Sequence, residues 1–64
     1  MVELRKASEL LVGDYSRTNG IVTKIEPHYN GRDTNVWWSN LRPINGRDVP
    51  MFCTETSTFE IDVS

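Results

Sequence analysis

The chain has 64 residues, seven of them basic and nine acidic, for a net charge of −2. A chain of this length forms one domain, buries about 60% of its unfolded surface and draws roughly 3–5 kcal/mol from its core unless something staples it. Its single cysteine, Cys53, excludes an internal disulfide, and with only His28 beside it a structural zinc site is excluded as well.

The mixed charges give no electrostatic footprint for nucleic acid or anionic lipid. No apolar stretch approaches the ~18 residues that cross a membrane, and the first residues lack the basic-then-apolar layout of a signal peptide. With an unpaired cysteine, these features predict a cytoplasmic protein with no membrane partner.

Val2 and Leu4 open a short strand that the pattern ends at Arg5-Lys6. Ala7-Ser8-Glu9-Leu10-Leu11 contains good helix formers, but Gly13 limits the segment to one helical or 3₁₀ turn, with Leu10 or Leu11 tucked under a sheet. Gly13-Asp14 then turns the chain into Tyr15-Ser16-Arg17-Thr18, and Asn19-Gly20 returns it as Ile21 to Glu26.

The next 19 residues begin and end with the same tetrapeptide, Asn30-Gly31-Arg32-Asp33 and Asn45-Gly46-Arg47-Asp48. Asn-Gly between extended runs predicts a two-residue hairpin turn, because both central residues of a type I′ turn need positive φ. A two-residue turn fixes register. Around Asn19-Gly20 the expected pairs are Tyr15 with Lys24 and Ser16 with Thr23. Around Asn30-Gly31 they are Ile25 with Val36, Lys24 with Trp37 and Thr23 with Trp38. One face then carries Ile21, Thr23, Ile25, Val36 and Trp38 as a core. The other carries Tyr15, Lys24, Glu26, Asn35 and Trp37, with Lys24 between two aromatic rings.

Simple pairing about Asn45-Gly46 puts polar residues beside apolar ones, and Pro43 and Pro50 cannot donate to a ladder. An irregular loop from about Leu41 to Asp48 is therefore expected, with pairing resumed near Val49 to Thr54 and Cys53 opposite Trp38. Thr58 to Val63 has the cleanest period-two alternation in the chain, so Phe59, Ile61 and Val63 face inward. Pairing of this last strand with Val2 to Leu4, or with the Tyr15 strand, would close a barrel. The expectation is an all-β domain, a small antiparallel SH3-like barrel of five to six short strands with one short N-terminal helical turn.

Three stretches carry a family resemblance: Ala7-Ser8-Glu9-Leu10-Leu11-Val12-Gly13-Asp14, Gly20-Ile21-Val22-Thr23-Lys24-Ile25, and Phe52 to Val63. They resemble small SH3-like barrels encoded by actinobacterial phages, most of them uncharacterised accessory proteins. The likeness spans most of the chain through turn and core residues, and implies a fold and a phage origin without an activity. Trp37-Trp38 and the second Asn-Gly-Arg-Asp lie outside that pattern.

No cofactor or metal-loop motif is present, and the only nucleophile and base are Cys53 and His28. The expected register turns Cys53 toward the core and leaves His28 at a hairpin end, so an inert thiol and a solvated histidine are expected rather than an enzyme. The repeated tetrapeptides read as turn makers with solubilising charges. Alternation cannot bury both tryptophans against one sheet face, so Trp37 is left as a surface cation–π partner of Lys24, as the floor of a folded-back loop, or as an interface anchor. The expected function is a protein-interaction module that modulates a host protein, with Tyr15, Lys24, Trp37 and Arg42 in contact. The alternatives are single-stranded nucleic-acid binding by Tyr15, Trp37, Lys24, Arg17 and Arg42, which charge does not favour, and self-association or a virion-structural role through the last strand.

Overall fold

Runs of β-branched and aromatic residues, interrupted by Gly, Asn and Pro, organise the chain into strands joined by turns. The computed structural model describes residues 1–41 and 43–63. In chain order it forms β1 (Val2–Lys6), a 3₁₀ turn (Ala7–Glu9), β2 (Tyr15–Ser16), β3 (Gly20–Pro27), β4 (Thr34–Trp38), β5 (Met51–Cys53) and β6 (Thr58–Asp62). All neighbours are antiparallel in the order β1-β6-β2-β3-β4-β5. The last strand pairs with β1 along its whole length and with β2 through Tyr15 opposite Asp62, so its Asp62 end lies between two strands.

The sheet is all-β and antiparallel as the pattern predicts, but it is not closed. Closure needs β5 against β1, and β5 has only three residues, preceded by Pro50, which has no N–H to donate. The 3₁₀ turn instead brings Ala7 and Leu10 into the core, where they join Val22, Val36, Trp38, Cys53 and Ile61. Each fully buried aliphatic side chain there contributes about 1.5–3 kcal/mol. Leu10 is the leucine tucked under the sheet; Leu11 is exposed. β1 continues through Arg5 and Lys6, where the pattern had ended it, because its register with β6 runs unbroken to Lys6 opposite Thr58.

Each Asn-Gly behaves differently. At Asn19-Gly20 only the glycine takes a positive φ, +88°, and Ser16 Oγ accepts the Asn19 N–H at 3.3 Å. The connection is therefore a three-residue loop, and Tyr15 lies opposite Ile21 and Ser16 opposite Gly20, not opposite Lys24 and Thr23 as expected. A Cβ at position 20 would collide with Ser39 Oγ, which accepts the Ile21 N–H at 2.9 Å.

At Asn30-Gly31 the asparagine acts through its side chain: Oδ1 accepts the N–H groups of Arg32 (2.9 Å) and Asp33 (3.1 Å). The loop closes symmetrically with the His28 N–H on the Asp33 carbonyl, so the expected pairs Ile25 with Val36 and Lys24 with Trp37 form although the turn type differs. Beyond them a bulge intervenes. Val22, not Thr23, faces Trp38, and the extra residue Thr23 donates its hydroxyl to the Trp37 carbonyl at 3.2 Å. The bulge puts Val22 in the core, and Ile21 and Thr23, expected there, are exposed.

The third Asn-Gly, expected to be irregular, makes the regular turn. Asn45 (φ 52°) and Gly46 (φ 75°) are both left-handed, and Ile44 and Arg47 exchange hydrogen bonds of 2.9 and 3.0 Å. The connection from Ser39 to Pro50 is nonetheless long, and it delivers Cys53 opposite Thr34 rather than Trp38.

Candidate interaction surface on the outer face of β3 to β5

Alternation along β4 buries Thr34, Val36 and Trp38 and turns Asn35 and Trp37 to the other face. The ladder sets Lys24 beside Trp37, and it sets Glu26, Asn35 and Phe52 in one row. Lys24 Nζ lies 4.8 Å from the centre of the Trp37 ring and 3.7 Å from Glu26 Oε2. Both charged side chains are well exposed, so the ion pair and the cation–π contact each contribute no more than about 1 kcal/mol.

His28 extends the row. Its Nε2 lies 3.0 Å from Asn35 Oδ1, and its ring meets that of Phe52 edge-on, 5.2 Å between centres. Phe52 is 58% exposed and Tyr29, next to His28, is fully exposed. The result is a sheet face that presents aromatic rings around a small polar centre.

A cleft of about 170 Å³ borders this face, lined by Thr23, Trp37, Trp38, Ser39, Leu41, Asp48 and Val49. The long connection thus returns against Trp37 and half-buries it. Trp38 is buried in the wall, packed on Phe59 at 5.3 Å, and its Nε1 has no hydrogen-bond partner among the described residues.

The structure brings together two of the side chains singled out from sequence, Trp37 and Lys24. Tyr15 is elsewhere: it is 45% exposed and sits between Ile21 and Asp62, so Lys24 does not lie between two rings. Arg42 lies outside the described residues. Sequence reasoning missed His28 and Phe52. The alternation that found Trp37 also turns Asn35 outward, but Phe52 depends on the β5 register, which the long connection conceals.

Cys53 and His28 are on opposite sides of the sheet. The thiol is 1% exposed, burial pushes its pKa up, and Sγ lies 3.5 Å from the Met51 carbonyl oxygen. The histidine ring is engaged with Asn35 and Phe52 on the outer face and is not the solvated ring expected. Among the described residues no helix is long and apolar enough to cross a membrane. Compared with protein-family models, with curated proteins and with solved structures, the chain matches none.

Proposed function

We propose that this chain is a non-enzymatic protein-interaction module, an SH3-like but incompletely closed sheet encoded by an actinobacterial phage, which binds and modulates a host protein in the host cytoplasm. The carrying observation is Trp37, held half-buried on the outer face with Lys24 at 4.8 Å and continuous with Asn35, His28 and Phe52. Ring faces fixed by a ladder lose little conformational freedom when a partner desolvates them, which is why such residues dominate binding energy at interfaces. Trp37 and Lys24 form the centre of the proposed contact; Tyr15 belongs to a different row of the sheet.

A protein is favoured over single-stranded nucleic acid because Lys24 is already paired with Glu26 and the net charge is −2. Affinity capture from actinobacterial lysate, with and without nuclease, tests the reading. One host protein retained by wild type in both arms, and bound by Trp37→Ala more weakly by over about 2 kcal/mol, is the expected result. Recovery of nucleic acid, or loss of the partner after nuclease, would overturn it.

A further inference from the structure

β1 is patterned in the phase opposite to that of a strand that only covers its own core. None of its residues is buried. Its register with β6 places Val2 beside Asp62 and Leu4 beside Glu60 on the outer face, where they are 45% and 70% exposed, while the charged Glu3 and Arg5 take the side of Ile61 and Phe59. A one-residue slip would exchange the two sets. The strand keeps the register that leaves its apolar side outward.

Among the described residues the backbone of β1 is unspent on its free side except for the Lys6 N–H, which donates to Glu9 Oε1 at 3.0 Å. The Met1 carbonyl accepts from the Val63 N–H at 2.8 Å and the Ala7 N–H donates to the Ser57 carbonyl at 3.2 Å. These bonds bracket the ladder, so by antiparallel alternation residues 1, 3, 5 and 7 bond to β6, and Val2, Leu4 and Lys6 point their N–H and C=O groups away from it. Natural sheets protect such an edge with proline, bulges, short length or charged side chains, and of these β1 has only its charges, Glu3, Arg5 and Lys6. The edge at β5 is three residues long and follows Pro50; β1 has five residues, no proline and no bulge.

We infer that two copies of this chain pair antiparallel through β1, about a twofold axis at Leu4, to form a sheet continuous across both. Only residues with outward backbone groups can bond across this edge, and the centres within the strand that pair more than one such residue of each copy are three, at Glu3, Leu4 and Arg5. A centre at Glu3 sets Glu3 against the second copy's Glu3, and a centre at Arg5 sets arginine against arginine; like charges directly opposite destabilise a ladder. The centre at Leu4 sets Glu3 opposite Arg5 twice, in the closely spaced non-hydrogen-bonded positions. It also sets Leu4 against Leu4, and Val2 against the aliphatic stem of Lys6. Of these centres only the one at Leu4 sets opposite charges across the pair. Within one copy Arg5 already bonds Glu3 and Asp14 at 3.1 Å each, and the pairs of Val2 with Lys6 form where the Lys6 N–H leaves Glu9. Five residues a side fall well below the ~800 Å² per partner of a standard interface, so the dimer is weak and concentration-dependent.

Sedimentation equilibrium of the full chain at low salt, up to about 1 mM, tests this together with amide exchange. Association is expected, with protection of the Val2 and Leu4 amides that rises with concentration while Glu3 and Arg5 stay protected throughout; the Lys6 amide, already bonded to Glu9, is not a reporter. Leu4→Pro removes only an outward N–H, which an edge strand tolerates, and is expected to weaken association about tenfold or more through two lost backbone bonds. Glu3→Arg and Arg5→Glu, each folded by circular dichroism, are expected to be monomeric alone and to associate when mixed, because each then meets its complement. If Arg5→Glu does not fold, Leu4→Pro and Glu3→Arg alone carry the test. A chain monomeric at every concentration would mean that Glu3 and Arg5 guard the edge rather than join it. Association undiminished in both Leu4→Pro and Glu3→Arg would place the interface elsewhere. Either result overturns the inference.

Discussion

Adjacent in the chain, Trp37 and Trp38 serve different terms of the free energy. Trp38 is 3% exposed and packs on Phe59, so Trp38→Ala leaves a cavity and is expected to cost about 3–5 kcal/mol. Trp37 is half-buried beside Lys24, so Trp37→Ala loses one surface contact and partial burial, about 1–2 kcal/mol. Denaturant unfolding of the two variants measures the difference, and equal losses would assign Trp37 to the core. Cys53 makes a different prediction, in pH. Its thiol is favoured neutral in the fold because burial raises its pKa. That contribution is fully present while the unfolded thiol stays protonated, below about pH 8.5, and is lost as the pH rises from there through the folded value. Stability should therefore fall in that alkaline range more steeply in wild type than in Cys53→Ala. Parallel pH profiles would show that ionisation of the thiol is not coupled to folding.

At the scale of elements, the two Asn-Gly-Arg-Asp segments are identical in sequence and stabilised by different interactions. Asn30 closes its loop through side-chain bonds to Arg32 N–H, Asp33 N–H and the Asp33 carboxylate, at 2.9, 3.1 and 2.8 Å. Asn45 is needed for its φ of 52°. Asn30→Gly should thus cost about 1–2 kcal/mol, whereas Asn45→Gly should be neutral within about 0.5 kcal/mol, by thermal unfolding. Losses of the same size at both sites would contradict the assignment of roles. This difference also explains which parts of the fold were legible in the sequence. The pairs Ile25 with Val36 and Lys24 with Trp37 were readable because a four-residue loop and a two-residue turn on the same centre give the same register. Tyr15 was misplaced because the Asn19-Gly20 loop is odd in length, and an odd loop shifts every pair beyond it. The bulge at Thr23 was invisible because an inserted threonine has the same β preference as its neighbours, and its place is set by the demand that Val22 and Ile25 both reach the core. Phe52 and His28 joined the surface through a β5 register set by tertiary contacts of the long connection, which no local pattern records.

For the whole molecule, an open sheet of 35 × 26 × 15 Å leaves two edges and a broad outer face, and its core lies on one side only. The 3₁₀ turn and Leu10 cover that core where a closed barrel would use a strand pair, which frees β1 for the pairing inferred above. The outer face of β3 to β5 is then the surface left for a partner, and because its one lysine is neutralised by Glu26, binding there should weaken little between low and physiological salt. The most direct test of that surface is quantitative capture of the proposed host partner from actinobacterial lysate by wild type, Trp37→Ala, Lys24→Ala and Tyr15→Ala, each checked for folding. Loss with Trp37→Ala, a smaller loss with Lys24→Ala and retention with Tyr15→Ala is the predicted result. Full retention by Trp37→Ala, or a loss confined to Tyr15→Ala, would contradict it and move the contact to the other end of the sheet.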